Sequence, residues 1–171
     1  MILVICKSAY GFELCARNIE KIMENHQVQF DYRVKAVQHE NRISRIMAAE
    51  VETPVECATP PEFPHGIAGV WSPETFLLAA VSGCFINTYQ ALCDRFKMQP
   101  VSIECEASGT VALVDGRYKF TGIMLNPIIT VADFEDEAKA LTIVEKAHKY
   151  CLISNSINCP VSVSENVMVL V

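Results

Sequence analysis

The sequence predicts an α+β fold in which largely antiparallel sheets pack on one long, buried central helix. Residues 28–37 alternate with period two, with Val28, Phe30, Tyr32, Val34 and Ala36 on one side. Gln29, Asp31, Arg33 and Lys35 fall on the other, the pattern of a half-buried strand. Residues 76–86 are apolar nearly all round and follow a strong helix start, as expected of a helix enclosed by other elements. The order of segments is strands, helix, strands, helix, strand. That grouping favours α+β over a regularly alternating parallel fold.

Residues 1–27 read as an N-terminal extension. Tyr10-Gly11 ends an opening apolar run, and Leu14, Ile19, Ile22 and Met23 then recur at helical spacing. Residues 28–171 read as one domain. After the first strand, His39-Glu40-Asn41 is polar enough to turn the chain, and 46–51 is a second strand. Residues 53–70 hold Pro54, Pro60, Pro61, Pro64, Gly66 and Gly69, so they are expected to be a long loop of the kind that borders a site. Ser72-Pro73-Glu74 starts a helix, with a capping hydroxyl, a proline at the first helical position and an acid in the positive first turn. The helix should reach about Phe96, and its small residues Ala79, Ala80, Ser82 and Gly83 permit close packing of another backbone. Val101, Ile103, Cys105 and Ala107 then alternate with Ser102, Glu104 and Glu106. Residues 110–114 and 118–125 flank Asp115-Gly116 as a hairpin. Asp133 caps a second helix, with Glu135, Asp136 and Glu137 in its first turn and an apolar face of Ala138, Leu141, Val144 and Ala147. Val161, Val163, Val167, Val169 and Val171 form a last strand.

Composition narrows the function. Of 171 residues, 51% are hydrophobic and 20% charged, which excludes a disordered chain. Fourteen basic residues stand against 20 acidic ones, a net charge of −6 with no basic cluster, so no nucleic-acid partner is expected. The apolar run at 76–86 is too short to span a bilayer. The run at 1–5 lacks the basic region and cleavage site of a secretory signal, so a cytoplasmic protein with no membrane partner is expected. Eight cysteines, at 6, 15, 57, 84, 93, 105, 151 and 159, contain no C-x₂-C pair. His148 and Cys151 make only half of a metal site. A disulfide scaffold does not suit a chain of this size without an export signal. Ordinary buried thiols remain, with room for a reactive pair.

Two segments carry a resemblance. Trp71-Ser72-Pro73-Glu74-Thr75-Phe76-Leu77-Leu78-Ala79-Ala80-Val81-Ser82-Gly83-Cys84, read with Ala147-His148-Lys149-Tyr150-Cys151-Leu152-Ile153-Ser154-Asn155, resembles the OsmC/Ohr family of thiol-dependent hydroperoxide reductases. Asn41-Arg42-Ile43-Ser44-Arg45 is similar to the family's arginine-bearing turn, with Asn41 where glycine is usual. Ala58-Thr59-Pro60-Pro61-Glu62 is similar to a segment of its organic-hydroperoxide branch. Leu152 stands where the family more often has proline. The resemblance implies an OsmC-like fold, an intertwined homodimer with shared active sites, and an organic hydroperoxide substrate. It also implies a dithiol reductant such as a lipoylated protein, with no metal or organic prosthetic group. Cys84 would be the peroxidatic thiol, Cys151 the resolving thiol, Arg42 the arginine and Glu74 its carboxylate partner.

The residue chemistry fits. A thiol reduces a peroxide only as thiolate, and burial opposes ionisation, so Cys84 is expected to need a nearby cation. Arg42 never deprotonates, and Glu74 could hold it through a bidentate pair. A second thiol must capture the sulfenic acid before it over-oxidises. Phe76, Leu77, Ala80, Val81 and Phe85 surround Cys84 in sequence and are expected to line an apolar substrate approach. Glu74 lies ten residues before Cys84, about 15 Å along the helix, so it is expected to serve the site of a partner chain. Cys93 and Cys105 read as core, Cys57 as a loop thiol, and His148 as a helix-end side chain. Cys159 competes with Cys151 as resolver, and Arg45 with Arg42. The rival function is a redox-sensing or binding protein on the same fold, whose cysteines oxidise without turning over.

Overall fold

The computed structural model describes residues 29–170. The helical pattern at 14–23, Cys6, Cys15, Val28 and Val171 lie outside them. The first sheet is a small antiparallel one, with β1 (Val34–Gln38), β2 (Ser44–Ala48) and β3 (Val55–Cys57) in that spatial order. A single 3₁₀ turn, Glu40–Arg42, joins β1 to β2. Arg45 pairs in register with Val37 on one side and Glu56 on the other, and its Nε lies 3.8 Å from Glu56 Oε1.

This sheet corrects three expectations. The first strand begins at Val34 rather than Val28, and it is exposed along its whole length instead of half-buried. Tyr32 is 88% exposed and Val34 73%. Alternation can bury a face only where another layer covers it, and this sheet stands apart from the main core. The second strand stops at Ala48, where Ala49 and Glu50 turn the chain. The proline-rich stretch contains β3, a three-residue edge strand that begins directly after Pro54, a position where a missing N–H does little harm.

Helix α1 (Pro73–Phe96) forms where its cap predicts. The Ser72 hydroxyl accepts from the Thr75 N–H at 3.2 Å, and Thr75 Oγ1 accepts from the Ser72 N–H at 2.8 Å. Two of the helix's orphan donors are thereby satisfied reciprocally. Val81, Phe85, Tyr89 and Cys93 form the buried stripe at i, i+4 spacing. The other side is not enclosed within the chain, since Ala79 and Ala80 are exposed. At 24 residues and mean hydropathy 1.4 the helix is long and apolar enough to cross a membrane, which the run at 76–86 alone did not suggest. Its buried stripe lies instead in the main core.

The main sheet is a long hairpin of β4 (Ser102–Val114) and β5 (Arg117–Val131), with a register shift at Thr110/Val111. Asp115 and Gly116 both have positive φ, 53° and 75°, as a two-residue type I′ turn requires. Helix α2 (Phe134–Tyr150) follows Asp133, which occupies the N-cap without a side-chain bond. Its buried face is Ala140, Ile143, Val144 and Ala147, whereas Ala138 is exposed. The face is rotated from the predicted one because α2 must meet both α1 and the far edge of the sheet. The last strand is two short ones, β6 (Val161–Val163) and β7 (Val167–Val169), each parallel to β5. Residues 164–166 separate them, yet Ser164 N–H still bonds Leu125 O at 2.9 Å and Ile129 N–H bonds Asn166 O at 3.1 Å. The core lies between this sheet and the two helices.

Candidate functional site

Cys84 sits at the middle of α1, beside the buried stripe, and is half-buried. Cys151 caps the C-terminus of α2 with φ −62° and ψ 112°, which ends the helix, and its side chain is fully buried. The two thiols, 67 residues apart in sequence, are brought close enough for each to influence the ionisation of the other. Burial alone would push Cys84 up. The N–H groups of Ile153 and Leu152, the Cys151 thiol and the Thr88 hydroxyl outweigh it and bring Cys84 below its ordinary value. In the structure the Thr88 hydroxyl gives its proton to the Cys84 carbonyl, at 2.8 Å. For Cys151, burial dominates and the neighbouring Cys84 adds to it. The Ser154 hydroxyl and N–H offset them only in part, so Cys151 lies above its ordinary value. Of the pair, Cys84 is the more readily ionised.

The segment after Cys151 is tightly held. Asn155 Nδ2 donates to Lys149 O at 3.0 Å and to Cys151 O at 2.8 Å, and the Asn155 N–H reaches the same Cys151 carbonyl at 3.1 Å. Ser156 Oγ donates to Leu152 O at 2.8 Å. A cavity of about 470 Å³ lies between the C-terminal halves of the helices, and neither thiol lines it. Thr88, Leu92, Arg95, Phe96, Lys146 and Tyr150 are among its lining residues.

The other expected site residues are placed elsewhere. Arg42 is exposed in the turn between β1 and β2, where Asn41 and Arg42 both have positive φ, 51° and 66°. Such a backbone explains why glycine suits position 41, and Asn tolerates it best among the other residues. Within the described residues, the influences on Cys84 are burial and neighbouring hydrogen-bonding groups rather than a cation. Glu74 lies at the start of α1 with its Oε2 buried and without a hydrogen-bond partner among the described residues. Burial pushes the Cys57 thiol up, and the charge of Glu74 adds to it. Arg45 is taken by Glu56.

The expected substrate lining divides. Val81 and Phe85 are fully buried in the core and do not line an approach, because they share the stripe that α1 turns to the sheet. Phe76 stacks on Trp71 at 5.3 Å between ring centroids. Leu77 lines a cavity of about 760 Å³ with Phe120, Ile157 and Cys159, and Ala80 is exposed. Burial pushes Cys93 and Cys105 up to about 11, as expected of core thiols, with a further contribution at Cys105 from Cys151. Sequence reasoning missed Thr88 and Asn155. The i+4 spacing from Cys84 was a usable signal for Thr88. Asn155 offered a recognisable polar residue just past a helix end.

The chain matches the family described as OsmC-like protein over residues 66–166. It is 28% identical over 89 residues to the uncharacterized protein YmaD of Bacillus subtilis, covering 50% of this chain and 59% of that protein. It is 25% identical over 126 residues to an organic hydroperoxide resistance protein of Xanthomonas axonopodis, covering 73% of this chain and 86% of that one. An OsmC-like protein of unknown function from Vibrio cholerae superposes with a TM-score of 0.71 at 15% identity, over 82% of this chain and all of the other. An organic hydroperoxide resistance protein from Legionella pneumophila does so with a TM-score of 0.63 at 23% identity, over 84% of this chain and 100% of that chain.

Proposed function

The chain belongs to the OsmC-like protein family, and from that premise we propose that it is a thiol peroxidase that reduces organic hydroperoxides to alcohols in the cytoplasm. One observation carries the reading: two thiols far apart in sequence are brought together, the more readily ionised Cys84 half-buried and Cys151, whose ionisation burial opposes, fully buried. The Xanthomonas and Legionella relatives, named for organic hydroperoxide resistance, support the choice of substrate class.

The Cys84 thiolate attacks the terminal oxygen of ROOH. The O–O bond breaks, sulfur becomes a sulfenic acid, and the departing alkoxide takes a proton to leave as ROH. The Cys151 thiol then attacks the sulfenic sulfur. Its proton and the sulfenic hydroxyl leave as water, and a Cys84–Cys151 disulfide forms. A dithiol such as a lipoylated protein returns both cysteines to thiols by disulfide exchange. The reading extends to a homodimer in which Arg42 and Glu74 complete the site across chains. Among the described residues, Glu74 has a buried carboxylate oxygen without a hydrogen-bond partner and Arg42 is exposed, which favours such a pairing.

The test is disulfide mapping after one equivalent of an alkyl hydroperoxide, combined with steady-state turnover in dihydrolipoamide. A Cys84–Cys151 disulfide and repeated turnover are expected. A single oxidation event without turnover would favour the sensing alternative, and wild-type turnover by Cys84→Ser would overturn the assignment.

A further inference from the structure

We infer that the cavity of about 470 Å³ between the C-terminal halves of α1 and α2 is a binding site for a medium-chain carboxylate. The charged end of the ligand meets Arg95 and Lys146, and its aliphatic body lies along Ala91, Leu92 and Phe96. The site is separate from Cys84 and Cys151, neither of which lines it, and the inference does not depend on the peroxidase reading.

Charge selects the sign of the ligand. The chain carries 14 basic residues against 20 acidic ones, yet a cation from each helix lines this cavity and no carboxylate does. Asp94, next to Arg95 in sequence, lines a different cavity, with Met98 and Pro100. Among the described residues neither Arg95 nor Lys146 enters an ion pair, whereas Arg45 pairs with Glu56 and Lys139 with Asp136. Lys146 Nζ stands 5.8 Å from the centroid of the Phe96 ring, a cation–π contact across the two helices that keeps the ammonium at the cavity wall. A third cation, Lys149, stands 5.7 Å from the ring centroid of Tyr150, which also lines the cavity. Arg95 stays charged at any working pH, and its planar fork suits a carboxylate.

Shape selects the body. The volume falls among those of small-molecule sites, roughly 300–1,000 Å³. Ala91, Leu92 and Phe96 supply an apolar wall between the cations at one end and Thr88 at the other. Thr88 and Arg95 are two turns apart on α1, about 10 Å along its axis, the reach of an extended medium-chain carboxylate. An inorganic anion would meet the charges and leave the wall wet. A neutral chain would cover the wall and leave the cations without a counter-charge.

The experiment is isothermal titration calorimetry of the reduced full-length protein with decanoate, beside decanol and decyltrimethylammonium. No peroxide is present, so the result is independent of turnover. Decanoate should bind saturably, about tenfold more tightly than either control, and more weakly as salt is raised. Arg95→Gln and Lys146→Gln should each weaken decanoate about tenfold and leave decanol unchanged. Ala91→Phe fills the cavity while both cations remain, and it should abolish binding. Ala91 and Arg95 are exposed, so these substitutions leave the core intact, and melting temperatures taken without ligand verify the fold of each variant. Alkylation of Cys84 by iodoacetamide, read by mass spectrometry, should proceed at the same rate with and without decanoate. Four results would each overturn the inference: no binding of decanoate, equal binding of decanol, wild-type affinity in folded Ala91→Phe or in both charge variants, or protection of Cys84 by decanoate.

Discussion

Cys84, Cys93, Cys105 and Cys151 share one side chain and differ in what surrounds it. Cys93 and Cys105 meet burial with little to offset it and stand at about 11. Cys84 meets burial and several donors together, and the donors prevail. At pH 7, alkylation should therefore select Cys84 over Cys93 and Cys105, with mass spectrometry of the peptides as the check. The sign of the pH dependence follows. The thiolate is present above the Cys84 pKa and lost as pH falls through it. The single-turnover rate with an alkyl hydroperoxide should therefore decline on acidification, with a midpoint below that of an ordinary thiol. Cys151→Ser should react once and then over-oxidise Cys84 to the sulfinic or sulfonic acid, visible as a mass increase. A stable sulfenic acid in that variant would argue against Cys151 as resolver.

At the scale of elements, α1 is held at both ends of its reacting half. Its N-terminus depends on the reciprocal bonds of Ser72 and Thr75, with Ser72 only 3% exposed. Ser72→Ala should cost about 1 kcal/mol and lower Tm by roughly 2–4 °C, measured by thermal denaturation. The helix then crosses β4 where Gly109 lets it approach. A Cβ at that position would stand 2.7 Å from Phe120 Cε1 and 2.9 Å from Leu78 Cδ2. Gly109→Ala should destabilise by about 1–3 kcal/mol in urea denaturation, because a ring and a leucine must both move. A neutral result would mean that the ring has room to shift. The C-terminal end of α2 brings the second thiol to the same place, so the site depends on how two helices end and meet.

At the scale of the molecule, the single chain leaves apolar surface open. Tyr32, Val34 and Trp71 are exposed on the strand side, and Ala79 and Ala80 on the helix. Patches of this kind mark contact surfaces. A homodimer seated there would cover the β1 sheet and the open side of α1 together. At Gly83 a Cβ meets nothing within 4 Å, so Gly83→Leu should leave each chain's fold intact while obstructing the partner helix. Light scattering at low micromolar concentration should then report the monomer mass, with helical circular dichroism retained and turnover lost. A dimer of wild-type strength in this variant would count against the shared site.

Much of the fold is written locally. The Ser72-Pro73-Glu74 start, the Asp115-Gly116 turn and the alternation through Cys105 each follow from short-range preferences, and each forms where the sequence places it. The pairing of Cys84 with Cys151 was accessible only through the resemblance of two distant segments, since spacing alone says nothing about contact across 67 residues. Tertiary structure decided the rest. Which apolar residues are core and which line an approach depends on the rotation of a helix about its axis, and a helix that is apolar all round does not encode that rotation. Val81 and Phe85 are core for this reason. The acidity of Cys84 depends on N–H groups that every non-proline residue carries. Only the path of the chain after Cys151 determines where those groups point.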